Sequence, residues 1–189
     1  MNLIHRCLCR SARWRTVLEK FVVPWALADV QLGDDVLELG PGHGITTELL
    51  RSRIARITAL EIDPALAQVL DARLRGTNVT VVEGDAAAMP FQNGQFSGAV
   101  SLHMLHHVHS VDLQNQVFRE VWRVLKPRAT FVGIDSLGLQ SFWMRLFHLG
   151  DTLVPVNPDT LGARLEGAGF TENLVETNPY AFRFRARRV

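Results

Sequence analysis

The stretch Val36-Leu37-Glu38-Leu39-Gly40-Pro41-Gly42-His43-Gly44 constrains the fold more than any other part of the chain, because an apolar strand runs directly into a loop with glycine at every second position. Glycine has no Cβ, so such a loop turns tightly and brings backbone N–H groups close to a ligand. Helical residues follow at once, from Ile45 to Arg51. Strand, glycine loop and helix in succession predict a nucleotide pocket. The loop alone leaves the nucleotide open.

The rest of the chain alternates short apolar runs with longer helical patterns, as a parallel sheet covered on both faces does. Strands are expected near Val36 to Leu39, Ile57 to Glu61, Val79 to Val82, Gly98 to Ser101 and Thr130 to Ile134. Helices are expected near Ile45 to Ser52, Pro64 to Leu74 and Leu113 to Leu125, with Asp63 as an N-cap and Pro127 ending the third. A helix near Asp159 to Ala168 and a strand near Glu172 to Thr177 follow. Asn178-Pro179 then turns the chain into an apolar/basic alternation from Ala181 to Arg187, predicting a terminal β-hairpin. At 189 residues and 47% hydrophobic, this is one α/β domain with a substantial core. Its expected parts are an N-terminal helical cap (1–32), a cofactor-binding core (33–135), an acceptor-side cover (136–157) and a C-terminal helix and hairpin (158–189).

In open α/β sheets ligands sit at the carboxyl ends of the strands, so informative residues should follow each strand. After the second come Glu61 and Asp63, about 20 residues beyond the glycine loop, where an acidic side chain accepts from ribose hydroxyls. After the third comes Gly84-Asp85-Ala86, where a carboxylate can accept from the exocyclic amine of adenine. After the fourth comes Ser101-Leu102-His103-Met104-Leu105-His106-His107-Val108. The dinucleotide fingerprint places a third glycine three residues after Gly42, but that position is Ile45 and the third glycine stands at Gly44. NAD thereby becomes the runner-up.

These motifs together resemble the class I methyltransferases that use S-adenosylmethionine, and in particular the small-molecule branch similar to ubiquinone and menaquinone biosynthetic methyltransferases. The resemblance rests on residues 36–44, on Leu60-Glu61-Ile62-Asp63, on Gly84-Asp85-Ala86, on Leu105-His106-His107-Val108 and on Leu125-Lys126-Pro127. It implies a Rossmann-like fold, a seven-stranded and mostly parallel sheet with an antiparallel last strand. It implies S-adenosylmethionine as cofactor and S-adenosylhomocysteine as product. Glu38 would then hold the cofactor's amino group, directly or through a water, and Gly40, Gly42 and Gly44 would wrap the same region. Glu61 would bind the ribose, Asp85 would contact the adenine, and Ile62 and Ala86 would sandwich its ring. Ser101 and Leu102 would offer backbone carbonyls to the cofactor's ammonium.

The expected acceptor is a small, partly apolar molecule. Trp14, Phe21 and Trp25, with Phe142, Trp143 and Phe147, are candidates to line its cavity, the alternative for the 142–147 stripe being plain core. His106 and His103 have two open readings, as an acceptor-side base or as loop structure. No metal is expected, since no Cys, Asp or Glu lies within the histidine cluster. Lys and Arg total 20 against 19 Asp and Glu, and the sequence after the fourth strand lacks the Asn/Asp-Pro-Pro-aromatic pattern of base-amine methyltransferases. No nucleic-acid partner is therefore expected. Two cysteines, Cys7 and Cys9, and no long apolar run suggest a reduced cytoplasmic setting without membrane insertion. An NAD-dependent enzyme and a non-catalytic S-adenosylmethionine-binding protein remain as rivals, and the oligomeric state is left open.

Overall fold

Alternate residues of the central strands point to opposite faces of one sheet, and both faces are covered by helices. The computed structural model describes residues 11–137 and 152–189. Its strands are β1 Asp35–Leu39, β2 Arg56–Glu61, β3 Val79–Glu83, β4 Phe96–Leu102, β5 Leu125–Ser136, β6 Phe170–Thr177 and β7 Ala181–Arg188. They form a seven-stranded sheet in the order β3-β2-β1-β4-β5-β7-β6. Pairings from β3 through to β5 are parallel, and β7 runs antiparallel to both β5 and β6. This is the architecture that the resemblance implies. The order reverses between β1 and β4, which opens a crevice at the carboxyl ends of the central strands.

The helices are α1 Ala12–Val17, α2 Val23–Ala26, α3 Ile45–Leu50, α4 Pro64–Leu74, α5 Val111–Val124 and α6 Pro158–Gly167, with a π turn at Leu18–Val22 joining α1 to α2. Val36, Val100, Val132 and Ile134 pack with Leu18, Val22, Val23 and Leu50 on one face. On the other, Leu37, Leu39, Ala99 and Phe131 pack with Val117, Phe118, Val121, Leu161 and Leu165. The period-two alternation of each strand thus serves two cores at once.

Asp63 caps α4 as expected, its Oδ1 accepting the N–H groups of Ala65 at 2.9 Å and Leu66 at 3.2 Å. The third expected helix is shifted. It begins at Val111, where the Ser110 hydroxyl accepts the Leu113 N–H, and it ends at Val124, ahead of Pro127. Leu125 already has extended backbone and opens β5, well before the expected Thr130. Arg188 of β7 explains part of this early stop, because its guanidinium donates to the carbonyls of Arg123 and Leu125 and so satisfies groups that a helix end leaves open. The hairpin alternation is as expected: Phe182, Phe184 and Ala186 are buried, while Arg183 and Arg187 pair with Glu176 and Glu172.

Among the described residues no helix is long and apolar enough to cross a membrane. Cys7, Cys9 and the aromatic stripe at Phe142, Trp143 and Phe147 lie outside the described residues.

Candidate active site

The loops after β1, β2, β3 and β4 enclose a cavity of about 690 Å³, within the range of nucleotide-sized ligand pockets. Gly40, Gly42, Glu61, Ile62, Asp85, Ala86, Leu102, His103 and His106 all face it. Glu38, Gly44 and Ser101 stand beside these residues in the chain but are not part of the cavity wall.

All three glycines of the loop are required by geometry, Gly44 with φ +73° and a Cβ position 2.3 Å from Leu70 Cδ1. Gly40 has φ +61°, and a Cβ there would lie 2.3 Å from Met104 Cγ. Gly42 has φ +55° with open space where a Cβ would stand, so its constraint is the left-handed backbone alone. That backbone aims the Gly42 N–H at Glu61 Oε2, 2.8 Å away. The other carboxylate oxygen, Oε1, accepts the Asp63 N–H at 3.0 Å. Glu61 is therefore a brace between the first and second loops. Each of its oxygens still has a lone pair for a further donor.

At the far end of the cavity Asp85 is held in place by its own turn, Oδ1 accepting the Ala87 N–H at 2.8 Å. Ile62 is 66% exposed, an apolar side chain left uncovered in the same cavity wall as Ala86. A flat apolar ring between the two would cover it.

Glu38 is buried, and Thr46 Oγ1 donates to its Oε1 at 2.5 Å. Its Oε2 and the hydroxyl of Ser101 on neighbouring β4 are also buried, with no hydrogen-bond partner among the described residues. Burial pushes the Glu38 carboxyl up from the usual 4.5 to about 7; the hydroxyls of Thr46 and Thr47 oppose that rise and the charge of Glu61 adds to it. A buried carboxylate with an open oxygen suits a cationic ligand group. This is the observation by which the chain's residues fit the ammonium of S-adenosylmethionine.

A second group of polar residues gathers where β4 and β5 end. Asp135 is fully buried at the end of β5 and gathers three donors: the His106 N–H on Oδ2 at 3.1 Å, His106 Nδ1 on Oδ1 at 2.5 Å, and the Ser136 N–H on Oδ1 at 2.7 Å. Burial by itself would raise the Asp135 carboxyl. The His106 and His103 rings and the Ser136 N–H outweigh it and hold the carboxyl below its usual range. His103 has φ +57°, a left-handed conformation uncommon for a side-chain-bearing residue. Its Nδ1 lies 3.1 Å from Ser136 Oγ, and its Nε2 is buried without a partner among the described residues. Burial lowers the His103 imidazole to about 4; Asp135 acts against this and His106 with it.

Asp135 and Ser136 were not legible as site residues, although a carboxylate closing the apolar run Thr130 to Ile134 is the available signal. Gln114 also escapes sequence reading. It is buried in α5 and donates to the carbonyls of Leu105 at 3.1 Å and Val154 at 2.8 Å, locking the turn that holds His106. Of the expected acceptor-lining aromatics, Trp14 faces the cavity, with its ring 5.5 Å from that of His103. Phe21 is instead 67% exposed, and Trp25 lies under the guanidinium of Arg183. Neither is in the cavity wall.

A family model described as a methyltransferase domain matches residues 37–133. An uncharacterized methyltransferase of Synechocystis is 33% identical over 74% of this chain and 68% of its own length. A ribosomal RNA small subunit methyltransferase A of Deinococcus radiodurans is 49% identical over 31% of this chain and 22% of its own length. The chain spans about a quarter of the length of the first curated relatives it matches. A solved S-adenosylmethionine-dependent methyltransferase of Aquifex aeolicus superposes with a TM-score of 0.73 at 20% identity, over 92% of this chain and 93% of that one. Relatives carrying the ribosomal RNA name recur in several archaea. They correct three sequence expectations: membership of the small-molecule branch, a small and partly apolar acceptor, and the lack of a nucleic-acid partner. The acceptor pattern was read from four residues after β4, whereas the relatives match over a longer stretch.

Proposed function

Because the chain belongs to the methyltransferase-domain family and is thus an S-adenosylmethionine-dependent methyltransferase, we propose that its methyl acceptor is ribosomal RNA. The NAD reading falls with that membership. The run of relatives named as ribosomal RNA small subunit methyltransferases is the observation that carries the acceptor. The bound cofactor supplies an electrophilic methyl group on a positively charged sulfur. The protein's own task is alignment, worth roughly 7–11 kcal/mol when reacting atoms are held in line.

In this reading Glu61 accepts the ribose hydroxyls while keeping its bonds to Gly42 and Asp63, and Asp85 accepts from the adenine amine. Ile62 and Ala86 flank the ring. Glu38, set behind the cavity wall, reaches the ammonium through a water, the carbonyls of Ser101 and Leu102 accept from the same group, and the loop of Gly40, Gly42 and Gly44 closes over that end. His106 and His103 stand on the acceptor side. The protein works in the cytoplasm, where both ribosomal RNA and the methyl donor are present.

The test is incubation of the protein with methyl-labelled S-adenosylmethionine and small-subunit ribosomal RNA, beside a metabolite extract. Label recovered in a nucleoside after digestion is the expected result. Label confined to the metabolite fraction would overturn the RNA acceptor.

A further inference from the structure

Asp135 binds both the backbone and the ring of His106, so that histidine is fixed at two points, and its ring lies tilted against that of His107 with centroids 4.2 Å apart. His103 is different. Its backbone N–H is tied to the Ile134 carbonyl at 2.9 Å, and its ring touches Ser136 on one nitrogen only. The other nitrogen is buried in the wall of the cavity with no partner among the described residues. A buried ring nitrogen without a partner costs free energy unless something else meets it. Left-handed backbone at a non-glycine residue adds to that cost, and such strain persists where the surrounding structure enforces it.

We propose that His103 Nε2 receives the proton of the acceptor nitrogen, with Ser136 fixing its tautomer and the Asp135–His106 pair acting as the rigid support that positions both. The proposal rests on the methyl-transfer reading above and deepens it. Nδ1–H donating to Ser136 Oγ leaves Nε2 with its lone pair free to accept. The acceptor's lone pair forms the new nitrogen–carbon bond as the sulfur–carbon bond breaks, and that electron pair stays on sulfur as a neutral thioether. The N–H proton passes to Nε2 and then to solvent. A histidine that stays neutral down to about pH 4 is a weak base. It suits an amine conjugated to an aromatic ring, which becomes strongly acidic once alkylated, and it serves an alcohol poorly. The ribosomal RNA reading supplies an acceptor of this kind in the amine of a nucleobase.

The variant His103→Asn tests this, because asparagine tolerates left-handed backbone and keeps the fold. Binding of S-adenosylhomocysteine and of sinefungin, an analogue with an amine-bearing carbon in place of the sulfur and its methyl, is measured by calorimetry on both proteins. The wild type is expected to favour sinefungin through its amine donating to Nε2. In the variant that preference falls about tenfold, while S-adenosylhomocysteine affinity changes little. A purely structural role would weaken both ligands alike, and a preserved preference overturns the proposal. With small-subunit ribosomal RNA as acceptor, kcat falls roughly 100-fold or more and KM hardly moves; an unchanged kcat overturns it equally. If the wild type methylates no RNA yet its analogue preference depends on His103, the RNA reading fails and His103 stands. If the wild type binds neither ligand, both fail.

Discussion

Glu38→Gln tests the electrostatics of the buried cofactor end without any substrate. Burial raises the Glu38 carboxyl from 4.5 to about 7, so the folded protein holds a proton that the unfolded chain has lost. The associated stability is fully present below pH 4.5 and is lost as pH rises through about 7, when the folded carboxyl must ionise in a site with one open oxygen. A rise of that size corresponds to about 3 kcal/mol at pH 8. Glutamine keeps the shape and can accept from Thr46 without having to ionise. The variant should therefore be more stable than the wild type at pH 8 by about 2–3 kcal/mol, or roughly 4–12 °C in melting temperature. At pH 4.5 the difference should vanish. His103 titrates in the opposite sense: lowered to about 4, it costs stability as pH falls below about 6.5. Because both proteins carry it, the difference between their melting curves isolates Glu38. Scanning calorimetry of both ligand-free proteins from pH 4.5 to 8.5 is the assay. A difference that does not grow between pH 5 and 8 would refute the reasoning.

Glu61→Ala removes both the ribose acceptor and the brace between Gly42 and Asp63, so S-adenosylhomocysteine affinity should fall by one to two orders of magnitude, read by calorimetry. Asp85→Ala should weaken the same ligand by about tenfold, and unchanged affinity in both variants would remove the pocket described here. Gly40→Ala meets Met104 at once and sits at φ +61°; a loss of at least about 1–3 kcal/mol in denaturant unfolding is expected. Gln114→Leu leaves the Leu105 and Val154 carbonyls without their donor and should cost about 1–3 kcal/mol per orphaned group, with methyl-transfer activity falling further than cofactor affinity because the His106 turn loosens.

The cofactor half was legible because its constraints are local in sequence. Gly40, Gly42 and Gly44 mark left-handed turns, Glu61 closes β2 and Asp85 follows β3 by two residues, so position along the chain is nearly position in the crevice. The acceptor half was not, since it depends on contacts between distant segments. Asp135 acquires its meaning only when β5 lies beside β4 and the His106 turn folds over it, and Gln114 reads as one polar residue on an amphipathic helix until Leu105 and Val154 arrive. The end of α5 was legible from Pro127, which as a helix breaker predicts a stop near Leu125; the helix ends at Val124, where Arg188 of β7 also donates to the Arg123 carbonyl. The acceptor itself was misjudged because four residues after β4 were given the weight of a whole binding surface.

The placement of β7 between β5 and β6 has a consequence for how this protein is made. On the ribosome β6 emerges before β7, yet it has no neighbour in the sheet until β7 is complete. Until then β5 is an open edge, and Phe131 lacks Phe184, the ring that meets it at 5.0 Å. A nascent chain halted after β5 and before β7 therefore exposes an unpaired strand backed by aromatic residues, the kind of surface that recruits chaperones or aggregates. Asp135 lies on that same strand, opposite Phe182 of β7. The acceptor side of the pocket thus matures last, after the cofactor side has formed from residues already synthesised.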